Sequence, residues 1–339
     1  MKTRKLGSSD LNLSVIGLGA WAIGGSGWAY GWGDQSDKNS VEAIKRSLDL
    51  GVNWIDTAPV YGLGHSEEIV GKAIKGLRDK FYIATKCGLI WDAKGKLGYD
   101  LSAQSVKKEV ENSLARLKIS YIDLYQIHWP FPDDKIEEAW EEIMRLKDEG
   151  KIRYGGVSNF NVPQIQRILK IGPVVSLQPP YNMLNRAIEK DIINFCADSN
   201  IGIVAYSPMS CGLLTGKYDG AKISSLPEDD WRKKENGEFR EPKLEVNLWL
   251  IEELKKVADK LDITVAQLSL AWVINREAVT AAITGTRNKK QIEETAPASG
   301  IILSVAIMDR IGKLLKIRDE KLGIIHEPRK SLPRKYKGE

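Results

Sequence analysis

The sequence predicts an α/β fold in which eight strands and their crossover helices close into one (β/α)8 TIM barrel. Three observations predict it. Eight short runs are rich in β-branched and aromatic residues, helical periodicity separates them, and nearly every run ends in a polar residue able to bind or react. Alternating βα units give parallel strands with right-handed crossovers, and a barrel gathers the carboxyl ends of its strands on a single face.

The candidate strands are residues 15–19, 52–57, 81–86, 122–128, 154–158, 174–178, 202–207 and 281–285, preceded by an N-terminal β-hairpin. Their polar ends are Asp56, Lys86, His128, Ser158-Asn159, Gln178, Tyr206-Ser207 and Thr284. Helices between them take N-caps from Asp37, Ser66, Ser102, Asn161 and Asn288, with Gly51 and Gly150 as stops. Residues 219–245, after strand seven, are charged and carry Gly and Pro, so they read as an irregular surface loop or lid rather than a second domain. All 339 residues are expected to form one domain, with residues 320–339 an extended or mobile tail.

The competing topology is an open doubly wound sheet. Gly17-Leu18-Gly19-Ala20-Trp21-Ala22 matches the G-x-G-x-x-A dinucleotide fingerprint after a strand. That fingerprint requires a helix to begin at once, with its amino end on the pyrophosphate. Here the chain continues through Gly24-Gly25-Ser26-Gly27-Trp28, and no helical pattern begins before Asp37. The context rules the fingerprint out.

An apolar fraction of 42% and a charged fraction of 28% are those of a globular protein with a sizeable core. No run approaches the length of a membrane span, and the basic N-terminus lacks a following apolar signal core, so a cytoplasmic location is expected. The three cysteines, Cys87, Cys196 and Cys211, are far apart and argue against a disulfide frame or a zinc site. The net charge of +5 is spread along the chain except for a basic stretch at 329–337, which reads as a solvated terminus rather than a nucleic-acid contact. No metal, nucleic-acid or membrane partner is expected, and no feature specifies an oligomeric state.

Asp56, Tyr61, Lys86 and His128 would converge on the active face. A free tyrosine is a poor acid at neutral pH, and a nearby ammonium that stabilises its phenolate should lower its pKa. Asp56 would hold Lys86, Lys86 would activate Tyr61, and His128 would orient a substrate oxygen. Singly, Asp56 with Lys86 reads as a structural ion pair, His128 as a core histidine and Tyr61 as a loop aromatic. Together they suit protonation of an oxygen on which negative charge develops.

Those residues lie in recognisable motifs. Asp56-Thr57-Ala58-Pro59-Val60-Tyr61-Gly62, Ala84-Thr85-Lys86, Ile127-His128-Trp129-Pro130, Gly156-Val157-Ser158-Asn159-Phe160, Tyr206-Ser207-Pro208 and Gly285-Thr286-Arg287 resemble the aldo-keto reductase superfamily, from about Arg4 to Ala298. Trp21-Ala22-Ile23-Gly24-Gly25 and Gln178-Pro179-Pro180-Tyr181-Asn182 look most like its bacterial general-stress-protein branch.

The resemblance implies NADPH-dependent reduction of aldehydes or ketones, with Asp56, Tyr61, Lys86 and His128 as the catalytic tetrad and Tyr61 as general acid. It implies that Gly19, Ala20 and Trp21 border the nicotinamide with Asp56. Ser158, Asn159 and Gln178 would hold its carboxamide, and Tyr206 would stack on the ring. Ser207, Met209, Gly212, Leu213, Gly216 and Lys217 would follow the pyrophosphate. Gly285, Thr286, Arg287, Gln291, Glu294 and Thr295 would surround the 2′-phosphate and adenine. Many relatives carry threonine in place of Ala20 and asparagine in place of Thr295, so some NADP(H) contacts should be weaker here. A second reading is a cofactor-bound sensor with negligible turnover, like the channel β subunits of the superfamily. A barrel hydrolase is disfavoured, because no second carboxylate or metal cluster accompanies Asp56.

Ten tryptophans are unusually many. Trp21 and Trp129 follow family pocket positions and should line the substrate site with Tyr61, Trp91 and His128. Trp28 and Trp32 suit pocket wall or loop packing equally, and Trp231 also falls in a loop. Trp54, Trp140, Trp249 and Trp272 read as core. Cys87, beside Lys86, reads as a small buried side chain rather than a reactive thiol.

Overall fold

The computed structural model describes residues 1–228 and 230–324. β1 (Thr3–Lys5) and β2 (Asn12–Ser14) form the expected antiparallel hairpin. Eight parallel strands then close a barrel: β3 (Ile16–Gly19), β4 (Trp54–Asp56), β5 (Tyr82–Cys87), β8 (Ile122–Ile127), β9 (Ile152–Ser158), β10 (Ser176–Gln178), β11 (Gly202–Ala205) and β12 (Val279–Gly285). Between β5 and β8 lies an unanticipated second hairpin, β6 (Leu89–Trp91) and β7 (Leu97–Tyr99), built from the loop after the third barrel strand.

The helices are α1 (Asp37–Asp49), α2 (His65–Ala73), α3 (Ala103–Leu117), α4 (Ile136–Asp148), α5 (Val162–Ile168), α6 (Ile192–Asp198), α7 (Gly220–Ser224), α8 (Trp231–Lys234), α9 (Lys243–Asp259), α10 (Val265–Ile274), α11 (Lys289–Thr295) and α12 (Val305–Lys321). Their inward faces follow the helical period: α4 buries Ile136, Ala139, Trp140, Ile143 and Leu146. Ser102, Asn161 and Asn288 cap α3, α5 and α11 as expected, with a full capping box between Asn161 and Gln164. Gly51 and Gly150 follow α1 and α4 with positive φ.

Two caps differ from expectation. Ser36 caps α1, which makes Asp37 its first helical residue. Gly64 precedes α2, and Ser66 is buried inside it, donating to the Ala20 carbonyl at 2.9 Å and meeting Thr57 Oγ1 at 3.0 Å. A serine at a helix start has two uses, and here its hydroxyl ties α2 to the strand ends.

The hairpin β1–β2 plugs the amino end of the barrel. Leu6, Leu11 and Leu13 join Trp54, Leu124, Val175, Val204 and Ile283 in one buried cluster. Trp54 fills the lumen so closely that a Cβ on Gly17 would lie 2.1 Å from its ring. Trp140 and Trp272 are buried as expected, whereas Trp249 is half-buried beneath the Lys321 ammonium.

Residues 219–245 are not irregular. They hold α7, α8, a 3-10 turn at Gly237–Phe239 and the first turn of α9. Asp219, Asp230 and Asn236 cap these short segments, and Arg318 on α12 anchors them through Glu238 at 2.7 Å. Residues 320 and 321 of the expected tail belong to α12, which continues to Lys321; the basic stretch 329–337 lies outside the described residues.

Candidate active site

Asp56 closes β4, Lys86 stands near the end of β5 and His128 directly follows β8, so three adjacent strands bring them to one mouth. Lys86 Nζ donates to Asp56 Oδ2 at 2.7 Å and to the Thr57 carbonyl at 2.9 Å, and lies 3.4 Å from the Tyr61 hydroxyl. The His128 ring meets Tyr61 edge-on, with centroids 5.9 Å apart. The four residues expected to act together therefore touch.

The electrostatics depart from expectation at Tyr61. Burial pushes its hydroxyl well above the ordinary tyrosine value, and the Asp56 charge adds to the rise. The ammonium does not lower the tyrosine, since Lys86 is itself weakened by burial and largely engaged by Asp56. Burial and the Lys86 charge push His128 well below its usual value, so its ring is neutral at physiological pH. Cys87 is buried and its thiol is pushed up, as befits a small core side chain.

Next to the tetrad, Gln178 donates to Asp56 Oδ1 at 2.8 Å. Ser158 Oγ donates to the Gln178 carbonyl at 2.8 Å. Asn159, at a φ of 63°, donates to the His128 carbonyl at 3.0 Å and accepts from the Tyr206 hydroxyl at 3.0 Å. Gly19 aligns with both Asp56 and Gly285 across the strands, and the Ala20 amide donates to the Asp56 carbonyl at 2.9 Å.

Beyond this mouth lie the loop after β11 and helix α11. Ser207, Ser210, Cys211, Gly212 and Gly216 all have positive φ, and Met209 and buried Leu213 lie between them. Within the loop the Ser210 amide donates to the Ser207 carbonyl, and the Gly212 and Leu214 amides donate to the Met209 carbonyl. Lys217, after this loop, pairs with Glu294 of α11. Thr286 is buried after Gly285, the Arg287 amide donates to Gln291 Oε1 at 2.8 Å, and the Thr295 hydroxyl donates to the Gln291 carbonyl at 2.9 Å.

Aromatic rings roof the tetrad. Trp21 lies nearly parallel to Tyr61 at 6.1 Å, and Trp28 packs on Tyr61 at the same separation. Trp32 and Trp231 flank Trp21 at 5.8 and 5.9 Å. Of the expected wall residues, Trp129 is 41% exposed, and Trp91 belongs to the β6–β7 hairpin, whose Leu89 packs in one cluster with Tyr61. Sequence reasoning missed Arg232, which stacks on Trp32 at 5.0 Å, and Gln35, which holds Arg287. A tryptophan–arginine pair in a charged insert was the available signal for Arg232; Gln35 had none.

No group of three His, Cys, Asp or Glu side chains suited to a metal occurs among the described residues. No described helix is long and apolar enough to cross a membrane.

The fold and this site define a parallel-barrel protein with a buried Asp56–Lys86 ion pair beside Tyr61 and His128 at the carboxyl ends of its strands. A model of the aldo/keto reductase family matches residues 15–316. The chain is 37% identical over 319 residues to Aldo-keto reductase YhdN of Bacillus subtilis (strain 168), covering 93% of this chain and 94% of that protein. It is 36% identical over 326 residues to the NADH-specific methylglyoxal reductase of Escherichia coli (strain K12), covering 90% and 96%. The solved structure of glycerol dehydrogenase AKR11B4 from Gluconobacter oxydans matches with a TM-score of 0.85 at 37% identity, over 98% of this chain and 99% of that one. The chain belongs to the aldo/keto reductase family. These bacterial relatives are compatible with the general-stress-protein branch without singling it out.

Proposed function

We propose that this protein reduces an aldehyde or ketone to the alcohol with NADPH, and that Tyr61 delivers the proton. The observation that carries the proposal is the buried chain Asp56–Lys86–Tyr61 facing neutral His128. A bound nicotinamide cofactor supplies a hydride to the carbonyl carbon. As the carbon–oxygen double bond becomes single, the oxygen gains negative charge and takes the Tyr61 proton. An alkoxide is a stronger base than a phenolate, so a tyrosine of raised pKa still yields its proton. The phenolate left behind faces the Lys86 ammonium, which Asp56 keeps in position, and it regains a proton from water. His128, neutral, donates an N–H to the substrate oxygen and aligns the carbonyl.

The loop from Ser207 to Gly216, in which Ser207, Ser210, Cys211, Gly212 and Gly216 have positive φ, would follow the pyrophosphate, and Arg287 suits the 2′-phosphate that distinguishes NADPH. The Escherichia coli relative is named as NADH-specific, so cofactor choice is tested directly. Stopped-flow oxidation of each cofactor against a panel of reactive aldehydes should show turnover with NADPH at the higher kcat/KM. Cofactor binding without turnover of any carbonyl would instead favour the sensor reading.

A further inference from the structure

Arg287 differs from most arginines of the protein in its partners. Among the described residues its guanidinium meets no carboxylate. Nε donates to Gln35 Oε1 at 2.8 Å, Nη1 to the Trp32 carbonyl at 3.3 Å and Nη2 to the Asp34 carbonyl. Every acceptor is neutral. The nearby acids are engaged elsewhere: the Asp34 carboxylate takes the Ser26 hydroxyl at 2.5 Å, Glu293 pairs with Arg46 at 2.7 Å, Glu294 with Lys217 and Asp230 with Arg232. A full positive charge is thus fixed in place with no counter-charge in contact. Three of its five N–H groups are used, which leaves two for the oxygens of an incoming anion.

Among the described residues, Gln35 is the only side chain that hydrogen-bonds the guanidinium. Its amide oxygen accepts from Arg287 Nε, and its amide nitrogen donates to the Arg287 carbonyl at 2.7 Å and to Ser40 Oγ at 2.9 Å on α1. One amide therefore grips both ends of the arginine and ties it to a helix. We infer that Gln35 is a cofactor-specificity residue, a neutral clamp that pre-orients Arg287 for the adenosine 2′-phosphate without cancelling its charge. The inference rests on the NADPH reading of the site. Its physical content is preorganisation: a free arginine would lose rotamer freedom on binding, and a clamped one has already lost it. Neutrality matters equally, because a carboxylate at position 35 would occupy the cation that the phosphate needs.

The test is fluorescence titration of the full-length protein with NADPH and with NADH. Gln35→Ala should weaken NADPH about five- to tenfold and leave NADH within about twofold. Gln35→Glu, nearly the same shape, should weaken NADPH further by placing a carboxylate on Arg287. Equal losses for both cofactors, or none with either variant, would overturn the inference, since a residue that merely packs the loop cannot sense one phosphate. Arg287→Ala separates the two levels of argument. If it leaves the NADPH-to-NADH affinity ratio at the wild-type value, the 2′-phosphate reading of Arg287 fails. If it lowers that ratio while both Gln35 variants do not, only the role of Gln35 fails.

Discussion

Lys86 Nζ stands 3.4 Å from the Tyr61 hydroxyl while its shorter bond, 2.7 Å, goes to Asp56. The ammonium is thus committed to the carboxylate and only adjacent to the tyrosine. Burial raises the tyrosine and lowers the lysine, so the resting site holds a neutral phenol beside a compensated ion pair. Under the proposed mechanism the positive charge acts on Tyr61 only once the proton has left and a phenolate must be stabilised.

Removal of the Tyr61 hydroxyl tests the proton donor. Tyr61→Phe should cut kcat by roughly 10²-fold or more, the scale of a positioned acid. Its affinity for the cofactor should stay close to wild type, because the ring still packs under Trp21. Steady-state rates and a cofactor titration on one preparation check both halves, and an active phenylalanine variant would refute the mechanism.

The alkaline limb of the rate profile should belong to Lys86. Tyr61 remains protonated well above pH 10, whereas burial lowers Lys86 below 10.5. The charged ammonium is the useful form, so kcat should fall as pH rises through the lysine value. Asp56→Asn removes the charge that holds that value up and should move the limb to lower pH. Lys86→Met should be slow and lack the limb. Profiles of kcat from pH 6 to 10.5 for the three proteins would show this, and an unchanged limb in Lys86→Met would make Lys86 structural.

Glu109 gives a pH-dependent stability. Its buried carboxyl accepts from the Gly88 amide at 3.0 Å and from the Ser105 hydroxyl at 3.1 Å, yet burial outweighs these bonds and raises it from 4.5 to about 8. The folded state therefore holds the proton more tightly than the unfolded chain does. The resulting stabilisation is full below about pH 4.5 and is lost as pH rises to about 8, an effect on the order of a few kcal/mol. Glu109→Gln cannot ionise, so its stability relative to wild type should climb between those two pH values and level off above. Urea unfolding at pH 5 and pH 8 measures the difference; a constant offset would mean that Glu109 ionises normally.

Trp231 should set access to the carbonyl site. It reaches from the segment after β11 to within 5.9 Å of Trp21, above Tyr61. Trp231→Ala removes a large apolar face that a flat aromatic aldehyde would bury against. KM for an aryl aldehyde should rise several-fold, while kcat with a small aliphatic aldehyde changes little. Equal effects on both substrates would assign Trp231 to folding of the insert.

The sequence by itself determined the barrel and its reactive face. Strand patterning has a period of two residues and helix patterning 3.6, and both are local, so all eight strands were legible to within a few residues. The tetrad was legible because each member stands at or just beyond a strand end, where closure of the barrel must bring them together. Tertiary structure decided what depends on distant segments meeting. Ser66 lies inside α2 because its hydroxyl finds Ala20, forty-six residues away. Tyr61 rises in pKa because the chain buries it, and burial is a property of the packed whole. The short helices within residues 219–245 are tied to the barrel where Glu238 meets Arg318, eighty residues further on. Gln35 is an ordinary loop glutamine in the sequence. It acquires a role only where the barrel brings the start of α1 against Arg287, 252 residues away, and a hydrogen bond across that separation leaves no periodic or compositional trace.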